Sequence, residues 1–427
     1  MGSIAQRWKD LSGENQWDGL LDPLDVDLRR YIIQYGDKIH AVYDAFIDDK
    51  RSKNIGLPRY TKRNLFSKVG LVNGNPFEYL VTKYLYASSK LMFCHHHPAK
   101  ATAGYSNWIG FVAVSSDAGT EALGRRDIVI SFRGTSKEEE WCIDATIFFA
   151  SASDILGKKD DPKLHSGWYT YYTRAEPGST YNPTSLRDQV LAEVRELVDK
   201  YKDEEISITL TGHSMGGAFA CMVATDIVYN GYNKPTGQPE KACQVTAFLF
   251  ASPPVGNHGF SKVLSSLDKL HVLEVRNKPD IVSNLMFHFQ DKPQIISNLR
   301  MFQLPGFLEI LGYVHVGKKL EFNSQKSPYL KNPSKTAHNL EVYLHAIAGT
   351  QGTSPFAGFK LEVKRDIALL NKWEDVLKDE YNINAAWWRE KIVSMIQLDD
   401  GSWVLNPFDR EIDVNEDDEH ELIPLNP

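Results

Sequence analysis

The chain has 427 residues, of which 42% are hydrophobic and 24% are charged, proportions that are usual for a globular protein. Its 55 acidic and 48 basic side chains give a net charge of −7, and no basic stripe is present, which argues against a nucleic-acid partner. The first residues lack a signal-peptide core, no apolar stretch approaches membrane-spanning length, and the four cysteines fit reduced thiols. We therefore expect a cytoplasmic protein without a transmembrane segment.

In chain order, the apolar pattern predicts helices and strands that largely alternate. An amphipathic helix comes first, at about 28–46, and a second helix is predicted near 77–91. Later helices are predicted at 186–201, with Ser185 as its N-cap, and near 361–381. Apolar runs typical of strands lie at 108–114, 127–132, 206–210, 245–250 and 271–276. Such alternation predicts an α/β fold with a mainly parallel sheet covered by helices on both faces.

The run GHSMG at residues 212–216 is the strongest functional signal in the sequence. A strand-like run precedes it, and a helical stretch starts at Gly217. A sharp strand-to-helix turn of this kind projects a serine hydroxyl above the sheet edge, and flanking glycines keep side chains off the turn. The N-terminus of the following helix also points backbone N–H groups at a developing oxyanion. An ordinary glycine-rich turn is the alternative, but this setting favours Ser214 as a nucleophile.

A serine nucleophile needs a base and a carboxylate that orients the base, and in such sheets the order is serine, aspartate, histidine. Asp280 fits because its loop leaves the predicted strand at 271–276, although a turn aspartate after Pro279 is the alternative. His338 lies at a loop-to-helix junction from which a side chain can reach the elbow, whereas His315 lies in a turn that enters a strand. Position alone favours His338 only modestly, and His315 remains open.

The oxyanion hole needs two donors. The backbone N–H of Met215, the residue after the nucleophile, is the expected first donor. The loop that leaves the strand at 127–132 and ends in Thr135 is in the right place for the second. The next segment, 136–150, is acidic and then aromatic, which suits either a lid over the site or a packed surface helix.

Three consecutive histidines at 95–97 have the composition of a metal site but the wrong geometry. Neighbouring residues point in different directions, and no carboxylate lies at a ligand-like spacing. We predict no metal and no cofactor.

Several motifs occur in order through the middle of the chain and carry a family resemblance. They are FRGT at 132–135, Trp141 with Asp144, LHSGW at 164–168 and the GHSMG elbow. Together they resemble the class 3, fungal-lipase-like triacylglycerol lipases from about 105 to 345. Outside this core, the segments at 17–43, 326–331 and 338–345 look like the plant class II phospholipase A1 group.

The resemblance implies a fold, a division of the chain and roles for particular residues. The fold is the α/β-hydrolase fold with helical extensions at both ends: an N-terminal extension (1–75), the core (76–350) and a C-terminal extension with an acidic tail (351–427). Ser214 becomes the nucleophile, Asp280 the orienting carboxylate and His338 the base. The resemblance gives His315 no catalytic role. Thr135 becomes an oxyanion donor through its N–H and hydroxyl, held in place by Asp144.

The implied activity is cleavage of the sn-1 ester of glycerophospholipids such as phosphatidylcholine, at a membrane or micelle surface. An extra segment at about 284–304, rich in Phe, Met, Leu and Ile, departs from the group and puts substrate preference in doubt. Neutral acylglycerols, galactolipids or soluble esters are alternative substrates. A catalytically inactive scaffold is a further alternative, but the chain retains all three residues of the triad.

Overall fold

The computed structural model describes residues 2–88, 106–136, 148–280, 312–349, 359–392, 395–397 and 403–405. Eleven helices lie in these ranges: α1 (Gly2–Leu11), α2 (Val26–Ala45), α3 (Leu65–Lys68), α4 (Asp117–Leu123), α5 (Ser153–Leu156), α6 (Ser166–Thr173), α7 (Leu186–Lys200), α8 (Met215–Tyr229), α9 (His258–Ser265), α10 (Leu340–Ala348) and α11 (Trp387–Ile392). The strands in the same ranges are β1 (Tyr79–Ser88), β2 (Ser106–Ser115), β3 (Arg126–Phe132), β4 (Phe149–Ser151), β5 (Lys163–His165), β6 (Ile206–His213), β7 (Gln244–Phe250), β8 (Leu270–Asn277), β9 (Lys318–Phe322), β10 (Met395–Gln397) and β11 (Trp403–Leu405).

One seven-stranded sheet organises the molecule, in the order β1-β2-β3-β6-β7-β8-β9. The pairs β1/β2 and β2/β3 are antiparallel, and the four pairs from β3 to β9 are parallel. The predicted mainly parallel sheet is therefore confirmed. Because the carboxyl ends of the parallel strands share one edge, the segments that follow β3, β6 and β8 meet there.

Both faces of the sheet are covered, as side-chain alternation along the strands requires. On β7, Val245, Ala247 and Leu249 join a core with α7 and α8, whereas Phe248 and Phe250 point to the opposite face and pack with α2 and α10. Helix α7 begins with a capping box in which the side chains of Ser185 and Asp188 accept hydrogen bonds from each other's backbone N–H. The predicted N-cap at Ser185 is therefore confirmed.

A buried polar cluster at the amino-end side of β3 and β6 fastens α2 to the sheet. The Asp127 carboxylate accepts hydrogen bonds from Tyr35 (2.9 Å), Tyr79 (2.7 Å), Ser207 (2.6 Å) and Thr209 (2.8 Å). The hydroxyl of Tyr35 comes from α2, so this cluster fixes the helix across the sheet. The other end of α2 thereby lies beside the GHSMG turn.

Two predicted helices are wrong. The segment at 77–91 contains β1, which pairs with β2, and register shifts in that pairing hide the two-residue alternation of a strand. The segment at 361–381 forms two short 3₁₀ turns (Ile367–Asn371 and Asp379–Tyr381) instead of one helix. There, the Asn371 side chain accepts from Val376 and Leu377 N–H, which closes the chain into a loop where a helix would continue.

Several sequence predictions concern residues outside the described ranges: the histidines at 95–97, Asp144, most of the possible lid at 136–150, the extra segment at 284–304 and the acidic tail. The three-part division of the chain remains a prediction. Among the helices of the described ranges, none combines the length and the apolar character needed to cross a bilayer.

Candidate active site

The GHSMG turn has the backbone geometry that a nucleophile elbow requires. Ser214 joins β6 directly to α8 with φ 56° and ψ −126°, a conformation that non-glycine residues rarely adopt and that costs about 1–3 kcal/mol. Its N–H donates to Phe250 O on the neighbouring strand (2.9 Å), which holds the turn in place. A Cβ on Gly212 would overlap Gly216 O, so glycine is needed there. Ser214 is half-buried, whereas the residues on either side of it are buried.

Asp280 and His338 meet at the same edge. His338 Nδ1 lies 2.9 Å from Asp280 Oδ2, and the Asp280 side chain is fully buried while that of His338 is 27% exposed. With Nδ1–H donating to the carboxylate, the Nε2 atom is left unprotonated and able to accept a proton. This is the relation between base and orienting carboxylate that the resemblance implies.

Tyr343 provides a second hydrogen bond to the same carboxylate oxygen. Its hydroxyl donates to Asp280 Oδ2 (2.6 Å) and accepts from Asn277 N–H (3.3 Å), at the end of β8. The Asn277 side chain donates to Ala337 O (2.9 Å), which ties the loop that carries His338 to the strand that precedes Asp280. Two hydrogen bonds to a buried carboxylate favour its ionised form.

A second chain of hydrogen bonds connects α2, the elbow and the His338 loop. The N–H of Gly134 donates to the Tyr43 hydroxyl (2.6 Å), which lies 3.0 Å from His213 Nδ1, and His213 Nε2 lies 2.9 Å from His338 O. A carbonyl only accepts, so His213 carries its proton on Nε2, and the Tyr43 hydroxyl donates to Nδ1. Burial, reinforced by the neighbouring His338, lowers the pKa of His213 to about 3 and keeps this ring neutral.

The nucleophile and the base are neighbours but are not hydrogen-bonded. His213, adjacent to Ser214, has its ring centroid 4.8 Å from that of His338. Within the described ranges, the Ser214 hydroxyl makes no hydrogen bond to the His338 imidazole. Catalytic hydrogen bonds are often long before substrate binds. Proton transfer requires the Ser214 hydroxyl to come within hydrogen-bonding distance of the His338 imidazole.

The expected oxyanion donors flank the elbow. Met215 is the first residue of α8, where backbone N–H groups have no acceptor within the helix. Thr135 follows β3, and its hydroxyl lies 3.7 Å from Met215 Sδ. The buried Arg133 anchors this loop by donating to Trp108 O (3.0 Å) and Gly134 O (2.8 Å). Asp144, the expected partner of Thr135, lies outside the described residues.

The alternative base, His315, has a structural partner of its own, and so does the aspartate on α8. His315 Nδ1 lies 3.2 Å from Glu274 Oε1 on β8, rather than at Asp280. Asp226 on α8 binds Tyr172 (2.8 Å) and Arg187 (2.6 Å), away from the elbow. The structure therefore brings His338, and not His315, to the carboxylate. The catalytic roles themselves remain predictions.

Sequence reasoning missed three residues of this site. In the sequence, Tyr43 is one position of the first amphipathic helix and His213 is one residue of the elbow motif, and neither has a signature of a role at the site. Tyr343 lies five positions after His338, which places it one helical turn into α10, but its phenol has no sequence signature. Their roles depend on contacts between distant parts of the chain, so only the fold reveals them.

Comparison with known proteins identifies the family of the chain. Residues 129–290 match the family model described as Lipase (class 3). The chain is 44% identical to phospholipase A1-IIgamma of Arabidopsis thaliana over 427 residues, which covers 97% of this chain and 95% of that protein. It is also 44% identical to phospholipase A1-II 1 of Oryza sativa subsp. indica over 414 residues, covering 95% of this chain and 97% of that protein.

Among solved structures, a lipase from Rhizopus microsporus var. chinensis is 18% identical and covers 70% of this chain and 76% of its own, with a TM-score of 0.40. The sequence relatives and the class 3 lipase segment, together with the sheet described above, confirm the expected α/β-hydrolase fold. The two phospholipase A1-II relatives match this chain over nearly its whole length. The chain belongs to the plant phospholipase A1-II family, with a class 3 lipase segment at its centre.

Proposed function

We propose that the protein is a serine carboxylic ester hydrolase that removes the sn-1 acyl chain of glycerophospholipids, releasing a fatty acid and a lysophospholipid. The observation that carries the proposal is the hydrogen bond between His338 and the buried Asp280 beside a strained Ser214 elbow. The names of the relatives, phospholipases A1-II, support a phospholipid substrate.

In the proposed mechanism, His338 Nε2 takes the proton of the Ser214 hydroxyl as its oxygen attacks the ester carbonyl carbon. The negative charge on the carbonyl oxygen is held by the N–H of Met215 and by the N–H and hydroxyl of Thr135. The C–O bond to the glycerol then breaks, and His338 returns its proton to the leaving alkoxide. Water, activated by His338, hydrolyses the acyl-serine and restores the enzyme. The scheme needs no metal and no cofactor.

Asp280 keeps one tautomer of His338 and stabilises the imidazolium that forms during attack. Its burial makes this interaction strong, because little water competes for the carboxylate. Tyr343 fixes the position of the carboxylate, and Asn277 fixes the position of the loop that carries His338.

The test uses phosphatidylcholine with different labels on the sn-1 and sn-2 acyl chains. We expect wild-type protein to release the sn-1 chain first, and Ser214→Ala to lose about a thousand-fold or more in kcat. Ser252→Ala is the matched control, because Ser252 lies near α8 but its hydroxyl bonds, among the described residues, only the adjacent Pro253 O (3.0 Å). Full activity of Ser214→Ala would refute the mechanism. Faster release from neutral acylglycerols or galactolipids would instead refute the proposed substrate.

We further propose that the protein meets its substrate at a membrane or micelle surface from the cytoplasm. A water-insoluble substrate supports the first part, and the thiols of Cys221 and Cys243, which form no disulfide among the residues that the structure describes, support a reducing compartment. Imaging of a fluorescent fusion, with vesicle sedimentation of the purified protein, tests both parts. Secretion of the fusion, or activity only on monomeric esters, would contradict them.

A further inference from the structure

A cavity of about 320 Å³ lies on the α2 side of the molecule, apart from the candidate active site. Helix α2, the loop at 69–77, the first turn of α10 and the C-terminal segment at 363–372 form its walls. Neither Ser214, Asp280 nor His338 lines it. Its volume falls at the lower end of the range of small-molecule sites, about 300–1,000 Å³.

Two buried side chains of the lining have unfilled hydrogen-bonding capacity. Gln34 is 4% exposed, and in the described part of the chain neither its amide nitrogen nor its amide oxygen makes a hydrogen bond. The ring nitrogens of His40 likewise make no hydrogen bond to described residues, although Nε2 lies 3.2 Å from Glu341 Oε2. A buried amide without partners is unfavourable, and a ligand with both a donor and an acceptor would remove this cost.

The charges around the cavity are balanced and already paired. Arg365 contacts Glu341 (2.5 Å) and Asp37 (3.0 Å), and Lys372 contacts Asp44 (2.5 Å). The remaining charged residue of the lining, Arg30, lies 3.3 Å from Asp27. An anionic or cationic ligand would have to break one of these pairs. A neutral ligand would not.

The rest of the lining is largely apolar and includes the half-buried Phe77 with Ile33, Leu71, Val363 and Leu369, while Asn73 and Asn75 add amides from the loop at 69–77. A mixture of planar polar side chains and apolar ones suits a molecule that presents both hydroxyl groups and C–H groups. We propose that this cavity binds a neutral polyhydroxy compound of the size of a small sugar, with Gln34 as its principal hydrogen-bonding residue.

Calorimetry on the full-length protein tests the proposal with galactose, myo-inositol and sucrose as probes. Glucuronate, glucosamine and a hexose phosphate serve as charged counterparts. We expect at least one neutral probe to bind and to bind more tightly than any charged counterpart. Binding should weaken about tenfold or more in Gln34→Leu, which keeps the side-chain size but removes both hydrogen-bonding atoms.

The matched control is Gln238→Leu. Gln238 Oε1 also lacks a partner among the described residues, but Gln238 does not line the cavity, so its variant should bind the probe as the wild type does. Gln34→Leu should also melt at a higher temperature than the wild type without ligand, because it removes the unpaired amide. If Gln34→Leu does not fold, Gln34→Glu tests the same atoms, since its added charge should abolish binding.

Three results would overturn the proposal. They are the absence of binding by every neutral probe, unchanged binding in the Gln34 variant that folds, and preference for a charged counterpart. Because binding is measured directly, each result is independent of the proposed ester hydrolysis.

Discussion

Replacing Tyr343 by phenylalanine tests the proposed role of Asp280 with the loss of one oxygen atom. The ring of Tyr343 is fully buried and packs edge-on against Phe322, with centroids 5.1 Å apart, so the phenylalanine variant would keep this packing. What disappears is the hydroxyl that donates to Asp280 Oδ2 at 2.6 Å. The Asp280 carboxylate then keeps its contact with His338 but loses a donor.

The size of the effect follows from the energy of that hydrogen bond. A hydrogen bond to a charged group contributes about 1.5–3 kcal/mol. If all of it acted in the transition state, kcat would fall about 10- to 150-fold, at about 1.36 kcal/mol per tenfold. The carboxylate is already ionised in the ground state, so only part of this energy is differential. We expect kcat to fall about tenfold and KM to stay nearly unchanged.

The pH profile gives a second, independent readout. Without the hydroxyl donor, more of the carboxylate's charge is left to stabilise the imidazolium of His338. Because the base must be unprotonated to accept the serine proton, the acid limb of kcat should move to higher pH. A purely structural role for Tyr343 would leave the position of this limb unchanged.

Tyr172→Phe is the matched control. The Tyr172 hydroxyl also donates to a buried aspartate, Asp226, at 2.8 Å. This pair lies about twelve residues along α8 from Ser214, roughly 18 Å at about 1.5 Å per residue. Both variants should lose similar stability, but only Tyr343→Phe should lose activity. Equal kcat values in the two variants, or a Tyr343→Phe enzyme with the wild-type pH profile, would refute the reasoning.

Three further predictions address the base, the buried histidine and the elbow. His338→Ala should reduce hydrolysis about a thousand-fold, whereas His315→Ala should change it little; initial rates on phosphatidylcholine decide, and the reverse order would reassign the base. The pKa of His213 is about 3 when folded and 6.5 when unfolded, so the unfolded chain binds more protons between these values, and stability falls as pH drops through that window. His213→Asn should flatten this slope by up to about 1.4 kcal/mol per pH unit in denaturant titrations, and an unchanged slope would contradict the neutral buried ring. A Cβ on Gly134 would lie 2.5 Å from the Tyr43 hydroxyl and 3.1 Å from Ser214 Cβ, so Gly134→Ala should lower kcat about tenfold or more, and wild-type kinetics would show that the loop has room to adjust.

The sequence was most informative where the signal is local. The elbow has its glycines within five residues, and α7 has its cap and apolar face within one segment, so both could be predicted. The prediction of a helix at β1 is wrong because the strand is stabilised by its pairing with β2, which a periodicity within the segment does not reveal.

The pairing of His338 with Asp280 was in reach of sequence reasoning only through family resemblance. Position alone left His315 open, because loop length does not reveal which histidine reaches the sheet edge. The deciding contact, from the Asn277 side chain to Ala337 O, joins residues 60 positions apart. The contact of Tyr43 with His213 spans 170 positions, and no local pattern records it.

The link from α2 to the elbow has a consequence for dissecting this protein. A fragment limited to the lipase-matched stretch at 129–290 would contain Ser214 and Asp280 but would omit both His338 and Tyr43. Its exposed sheet face would also lack the helices that cover Phe248 and Phe250. A cut between α2 and β1 would leave every triad residue intact, and the support behind the imidazole of His213 would then depend on the noncovalent contacts of α2 with the sheet. After such a cut, mild denaturant should abolish activity before it unfolds the core.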